Sequence, residues 1–196
     1  AFCQSRKVTS LVVGQGLGKN EPSLGEQSRQ IVLAALACGL PTVIDADGLT
    51  AFAQTPSDLT TALHDKCVLT PHEAEFLTFF KTITDHGKLA ATQLAAHKTG
   101  AIVVQKGPET IIASGTEAVR NDTSAPLLAT AGSGDVLAGV ISALLGKRMP
   151  PFYAACAGVW AHSQAGRKAG FGLISEDLPL LCAQTIAPYI TINTKA

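Results

Sequence analysis

The sequence is short of charge, aromatic rings and methionine. Only 15% of its 196 residues are Asp, Glu, Lys or Arg, and fifteen basic residues balance fifteen acidic ones. A formal net charge of +0 gives no electrostatic footprint for DNA, RNA or an anionic membrane, so none of these is expected as a partner. Long hydrophobic runs are missing too. The apolar stretch Ile31–Ile44 is cut by Gly39 and Pro41 and is shorter than the roughly 20 residues a membrane span needs. No signal-peptide pattern opens the chain, because Ala1–Ser10 is mixed and polar. There is no Cys-x-x-Cys. The five cysteines (Cys3, Cys38, Cys67, Cys156, Cys182) are odd in number and widely spaced, which predicts buried thiols in a reducing, cytoplasmic setting with no disulfide or zinc framework. Apolar residues, at 46%, exclude a disordered tail, and the length suffices for one domain with a full core.

What is present is an alternation of short apolar runs and helical segments. Leu11–Gly14, Thr42–Asp45, Cys67–Thr70 and Ala101–Gln105 read as strands, each close to continuously apolar. Helices are predicted from Ser23, with Glu26 completing a capping box, to Cys38; near Leu49–Ala53; from about His72 to Phe80; and from an Asp85 cap to Lys98. Ile111–Ala113 and Glu117–Arg120 read as a hairpin around Ser114-Gly115-Thr116. Three further helices, at about Val136–Leu145, Pro151–Lys168 and Glu176–Tyr189, close the chain. The pattern predicts one α/β domain over 1–196, its mostly parallel sheet covered by helices on both faces. The chain starts at Ala1 without methionine and enters a strand almost at once, so the first elements of the fold are expected to be missing.

Ligands of such sheets bind outside the carboxyl ends of the strands. Four of those ends carry marked loops: Gly14–Gly18, Asp45–Asp47, Thr70–Glu75 and Lys106–Thr110. The sharpest feature is Gly132-Ser133-Gly134-Asp135 ahead of an apolar helix. Glycines there let backbone amides approach an anion, and the helix N-terminus favours negative charge. A carboxylate in that place suits a general base that takes a proton from a hydroxyl while the amides hold a transferred phosphoryl group; Asp135 as an ordinary first-turn acid is the alternative. Gly16 and Gly18 lie in a loose phosphate-cradle pattern that close backbone packing also explains. Lys106, with Gly107 and Thr110, could meet nucleotide phosphates or lie in solvent. His72 and Glu75 share a helix face, which suits a His on substrate and a Glu reaching a metal-bound water, or two surface residues. Asp45 and Asp47 could hold magnesium through water or cap the next helix, and capping is the expectation for Asp47. His64, His86, His97 and His162 show no partner spacing and are expected at the surface.

In order, the segments Gly14-Gln15-Gly16-Leu17-Gly18, Val43-Ile44-Asp45-Ala46-Asp47-Gly48-Leu49, Leu69-Thr70-Pro71-His72-Glu73-Ala74-Glu75, Gln105-Lys106-Gly107 and Ala129 to Gly139 resemble those of the ADP- or ATP-dependent NAD(P)H-hydrate dehydratases. These are the carbohydrate-kinase-like domains of the YjeF group, within the ribokinase-like superfamily. The resemblance runs from about Leu11 to Pro188. It implies a three-layer ribokinase-like fold and a repair reaction, in which hydrated NADH or NADPH is dehydrated at the expense of ADP or ATP, normally with magnesium. It further implies that Asp135 is the base, that Gly132, Ser133 and Gly134 form the anion hole, and that Lys106, Gly107, Pro108, Glu109, Thr110 and Gly134 contact the nucleotide. Gly16, Gly18, His72 and Asp135 would contact the hydrated dinucleotide, and Glu75 and Asp45 would reach magnesium through water. An epimerase domain fused upstream also occurs in the family, and the apolar C-terminal helices (Phe152–Trp160, Leu178–Ile190) leave room for subunit contacts.

This chain departs from the family's usual residues at several positions. Gln15 replaces a proline, Glu73-Ala74 a proline–glycine pair, Thr50 an asparagine and Pro108-Glu109 an alanine–glycine pair. Pro108 removes a backbone donor, and Glu109 sets an anion beside the implied phosphate site. The alternatives are a small-molecule kinase of the hydroxyethylthiazole or hydroxymethylpyrimidine type, which would stop at the phosphorylated product, and a non-catalytic nucleotide-binding remnant.

Overall fold

The computed structural model describes residues 2–18, 22–81, 83, 87–123 and 125–189. Its frame comes from the short apolar runs. A four-residue helix that the sequence reading did not include, α1 (Phe2–Ser5), precedes β1 (Leu11–Val13), the first expected strand. Then follow α2 (Pro22–Leu36), β2 (Thr42–Ile44), α3 (Asp47–Thr50), α4 (Pro56–Ala62), β3 (Cys67–Leu69), α5 (Glu73–Phe79), α6 (Lys88–Thr99) and β4 (Ile102–Gln105). Strands β2, β3 and β4 are buried along their whole length, which is why they read as apolar runs without alternation.

β1 to β4 pair in parallel and in chain order. The predicted hairpin, β5 (Thr110–Ala113) and β6 (Ala118–Asn121), extends them in antiparallel fashion to a six-stranded sheet. Every parallel connection advances in the same direction, and right-handed crossovers therefore put α2 to α6 on one face. There Val32, Leu36, Leu49, Phe52, Leu59, Phe76 and Ala95 pack on Val13, Ile44, Leu69 and Val103. The opposite face is left to the end of the chain. α7 (Ser133–Gly146) and α8 (Pro151–Ala169) bring Leu137, Ile141, Leu145 and Val159 onto Val43, Val68, Ile102, Val104 and Ile112. α9 (Leu178–Ile186) closes a smaller cluster through Leu178 and Cys182.

Several boundaries differ from expectation for local reasons. α7 starts at Ser133, ahead of Val136, because Gly132 takes a left-handed φ of 81° at the N-cap. α4 begins at Pro56, in the first turn where its missing N–H is harmless, and buries only Leu59. The predicted last helix splits into 3₁₀ turns at Ser175–Asp177 and Ala187–Tyr189 around α9. The capping roles expected of Ser23 and Asp85 lie outside what is described, as does Ile190. The C-terminal helices spend Phe152, Val159, Leu178 and Cys182 on the chain's own core, leaving Tyr153, Leu180 and Tyr189 exposed. No helix among the described residues is long and apolar enough to cross a membrane.

Candidate active site

Parallel pairing carries the ends of β1 to β4 to one edge, and backbone bonds lock them together. Asp45 N–H donates to Val13 O, Thr70 N–H to Ile44 O, and Lys106 N–H to Pro71 O. Gly14, at φ 134°, is pressed so close to β2 that a Cβ would stand 1.8 Å from the Asp45 carbonyl oxygen. Its task is close packing. Gly16 is open, with nothing within 4 Å of a Cβ position. The Gly18 amide donates to Asp47 Oδ2 at 3.0 Å, so Asp47 ties the β1 loop to the β2 loop. That corrects its expected capping role: Asp47 is inside α3, and its side chain makes no cap bond.

At the centre lies an ion pair. Lys106 Nζ donates to Asp45 Oδ1 at 2.7 Å, and Gln15 Nε2 donates to Asp45 Oδ2 at 3.3 Å. The Asp45 carboxylate is almost fully buried, and Lys106 is partly so. A Cβ on Gly134 would lie 3.3 Å from Lys106 Nζ and 4.0 Å from Asp45 Oδ2. The first turn of α7 therefore abuts the cation at the end of β4. Three segments distant in sequence converge here, as the loop pattern predicts. Asp135, in that same turn, is exposed and makes no side-chain hydrogen bond or ion pair with another described residue. Gly132 takes a φ of 81° that side-chain-bearing residues rarely adopt, and a Cβ there would press on Ser175 Oγ at 2.9 Å.

Behind that turn is a residue the sequence reading placed at the surface. His162, in the middle of α8, is only 6% exposed. Its Nε2 lies 3.0 Å from the Ser133 carbonyl oxygen and 3.2 Å from Ser133 Oγ. Burial, with the Lys106 charge acting in the same direction, pushes its pKa down to about 4. One signal could have found it: Phe152, Ala155, Val159, His162 and Gly166 form an i, i+3, i+4 stripe, the buried face of α8. His64 is half-buried too, and its Nε2 has no partner among the described residues. His97 is exposed as expected, and His86 lies outside the described residues.

His72 and Glu75 do sit on one helix start, as a reciprocal capping box. The Glu75 amide donates to His72 Nδ1 at 3.2 Å, and the His72 amide donates to Glu75 Oε2 at 2.8 Å. The remaining ring nitrogen, Nε2, faces Glu75 Oε1 at 3.4 Å. The loop after β4 is held by Lys88, whose Nζ donates to the carbonyls of Lys106 and Glu109. Glu109 pairs with Arg120 at 3.2 Å across the hairpin, which offsets the anion that the sequence sets there. Gly107, Pro108 and Glu109 are exposed, and Thr110 Oγ1 donates back to Gly107 O.

A protein-only cation site does not form from these carboxylates. Asp45 is already bonded to Lys106 and Gln15, and Glu75 to His72. No group of three or more His, Cys, Asp or Glu among the described residues could hold a metal ion. Of the thiols, Cys67 and Cys182 are buried, Cys3 and Cys156 half-buried and Cys38 exposed. The fold also brings Cys3 Sγ within 3.6 Å of Cys38 Sγ, a closeness their wide spacing in sequence did not suggest.

Comparison with known proteins bears on the family and the fold. A family model described as NAD(P)H-hydrate dehydratase matches residues 2–185. The chain is 36% identical to the ADP-dependent (S)-NAD(P)H-hydrate dehydratase of Neisseria meningitidis, over 84% of this chain and 56% of that protein. It is 35% identical to the bifunctional NAD(P)H-hydrate repair enzyme Nnr of Mycobacterium leprae, over 92% of this chain and 37% of that one. It thus spans between 37% and 56% of these relatives' length. Among solved structures, a ribokinase-like superfamily protein of Enterococcus faecalis superposes with a TM-score of 0.75 at 26% identity, covering 90% of this chain and 63% of its own. The ADP/ATP-dependent NAD(P)H-hydrate dehydratase of Bacillus subtilis, co-crystallised with ATP/Mg2+ and soaked with CoA, gives 0.71 at 21% identity, covering 93% and 67%. With a family model matched over residues 2–185, the chain belongs to the NAD(P)H-hydrate dehydratases, on a ribokinase-like fold.

Proposed function

We propose that this chain carries the nucleotide-dependent dehydration of hydrated NADH and NADPH back to the reduced cofactors, with ADP as the phosphoryl donor. The observation that carries the proposal is the exposed Asp135 carboxylate on the first turn of α7, in a turn whose Gly134 abuts the Lys106 ammonium. The chemistry follows from that placement. Hydroxide is a poor leaving group, whereas phosphate is a good one. Asp135 takes the proton of the ring hydroxyl as the hydroxyl oxygen bonds to the terminal phosphorus of ADP, and the bond from that phosphorus to the bridging oxygen breaks to release AMP. The first-turn amides of α7, over Gly132, Ser133 and Gly134, meet the charge on the transferring group, and Lys106 meets it from the sheet side. The ring nitrogen lone pair then breaks the C–O bond and expels phosphate. Loss of a neighbouring ring proton restores the double bond.

Lys106, Gly107, Pro108, Glu109 and Thr110 form the nucleotide-side loop in this proposal, with Gly16, Gly18 and His72 on the dinucleotide side. The name of the Neisseria relative favours ADP over ATP. Magnesium would arrive on the nucleotide's phosphates, with water-mediated contact the role open to Asp45 and Glu75, and no step above runs through it. An epimerase is the partner activity proposed here, alongside relatives whose name gives them two functions in NAD(P)H-hydrate repair.

The test uses hydrated NADH with magnesium and ADP, ATP or no nucleotide, following the return of NADH absorbance. Nucleotide-dependent recovery is expected. Asp135→Asn should keep nucleotide binding and abolish turnover; full turnover in that variant refutes the base assignment. A phosphorylated product without NADH would instead identify a small-molecule kinase.

A further inference from the structure

We infer that His162 is a positioning residue for the reaction centre: its Nε2–H grips the Ser133 carbonyl and so aims the first turn of α7. The inference rests on the reading of Gly132–Asp135 as that centre, and it assigns a role to a residue outside every motif that supports the reading.

The geometry is specific. A carbonyl oxygen only accepts, so the 3.0 Å contact requires the proton on Nε2. Ser133 Oγ, at 3.2 Å, shares that donor. The ring sits on the apolar stripe of α8, between Val159 and Gly166, where burial leaves it uncharged at neutral pH. Packing alone does not account for an imidazole there. Removing its polar nitrogens from water costs free energy that a leucine would not incur, and only a well-made hydrogen bond offsets that cost. The bond goes to the first residue of α7, next to the amides that have no partner within the helix.

The turn is fixed on its other side as well. Gly132 enters the helix through a left-handed φ of 81°, packed against Ser175, so the entry has little freedom of its own. Gly134 stands against Lys106. His162 is thus the clamp from the helical layer, and the Lys106–Asp45 pair is the stop from the sheet. An imidazole that neither touches the reacting atoms nor changes its charge acts through the orientation of the amides that do.

The experiment compares His162→Gln, which keeps a donor near Nε2, with His162→Leu, which loses it. Each is assayed in the full chain for turnover of hydrated NADH with ADP. Each is also examined by amide chemical shifts, which read the turn whether or not a variant turns over. His162→Leu should lower kcat about 100-fold, the scale of a small misplacement, with the KM for ADP changed less than about threefold. His162→Gln should stay within about threefold of the parent in both. The Gly134 and Asp135 amide signals should move in the Leu variant and hold their positions in Gln. An unimpaired kcat in His162→Leu, or unmoved Gly134 and Asp135 signals, overturns the inference. So does a Gln variant as impaired as Leu while equally stable. Asp135→Asn separates the two levels. If it is silent while His162→Leu is fully active, only the clamp has failed; if it is fully active, the reading of the centre has failed and the clamp with it.

Discussion

Acid should loosen this fold through His162, and the size of the effect follows from its burial. An unfolded chain binds a proton on a histidine near pH 6.5, whereas the buried ring in the folded protein resists protonation down to about 4. The sign is that of a depressed pKa. As the pH falls below 6.5 the unfolded state takes up the proton first, so the stability contribution is complete above that value and drains away towards 4. The whole window is worth about 3 kcal/mol, of which about 2 kcal/mol is lost between pH 7 and pH 5. Half-buried His64, whose pKa is also lowered by burial, acts in the same direction. The measurement must therefore be a difference. Denaturant unfolding of the parent and of His162→Gln, each at pH 7 and pH 5 and at fixed ionic strength, isolates the one ring. The parent should lose about 2 kcal/mol more than the variant across that interval. Parallel losses in the two proteins would refute the argument, because they would mean that the ring finds water or a counter-charge in the fold.

Two further outcomes concern the sheet edge. Lys106→Met leaves the almost fully buried Asp45 carboxylate with only Gln15, and should cost about 3 kcal/mol in denaturant unfolding. Lys106→Met with Asp45→Asn should recover most of that loss, because the stranded charge has gone. Gly14→Ala puts a methyl group 1.8 Å from the Asp45 carbonyl and should cost more than about 3 kcal/mol or prevent folding. Gly16→Ala, also at positive φ but in open space, should cost only about 1 kcal/mol.

Much of the frame was readable because burial on both faces writes itself as uninterrupted apolar runs, and β2, β3 and β4 are such strands. The convergence of the loops was readable for a related reason, since parallel strands bring all their carboxyl ends to one edge. What escaped depended on contacts across long sequence gaps. Asp47 looks like a cap, and it becomes a tether only once the β1 loop folds back to offer the Gly18 amide. Glu109 looks like an obstacle to phosphate, and the hairpin register supplies Arg120 to offset it. Helix α4 has a single buried side chain, Leu59, too little to make a periodic signal. His162 did carry a signal, the stripe on α8, hidden because a histidine among small residues reads as polar surface.

The strand order has one more implication. Everything up to β6 builds the sheet and one helical layer, and everything from α7 onward builds the other. The Lys106–Asp45 pair belongs to the first part, while the glycine–Asp turn and its histidine belong to the second. The proposed reaction centre is therefore a seam. A nick between Asn121 and Pro126 would yield two fragments, each carrying half of the centre and one side of a wide oily interface. Mixed together, the halves should find each other through Val43, Val68, Ile102 and Val104 against Leu137, Ile141 and Leu145. Turnover would then appear only on reassembly, which makes the protein a natural candidate for division into a split reporter.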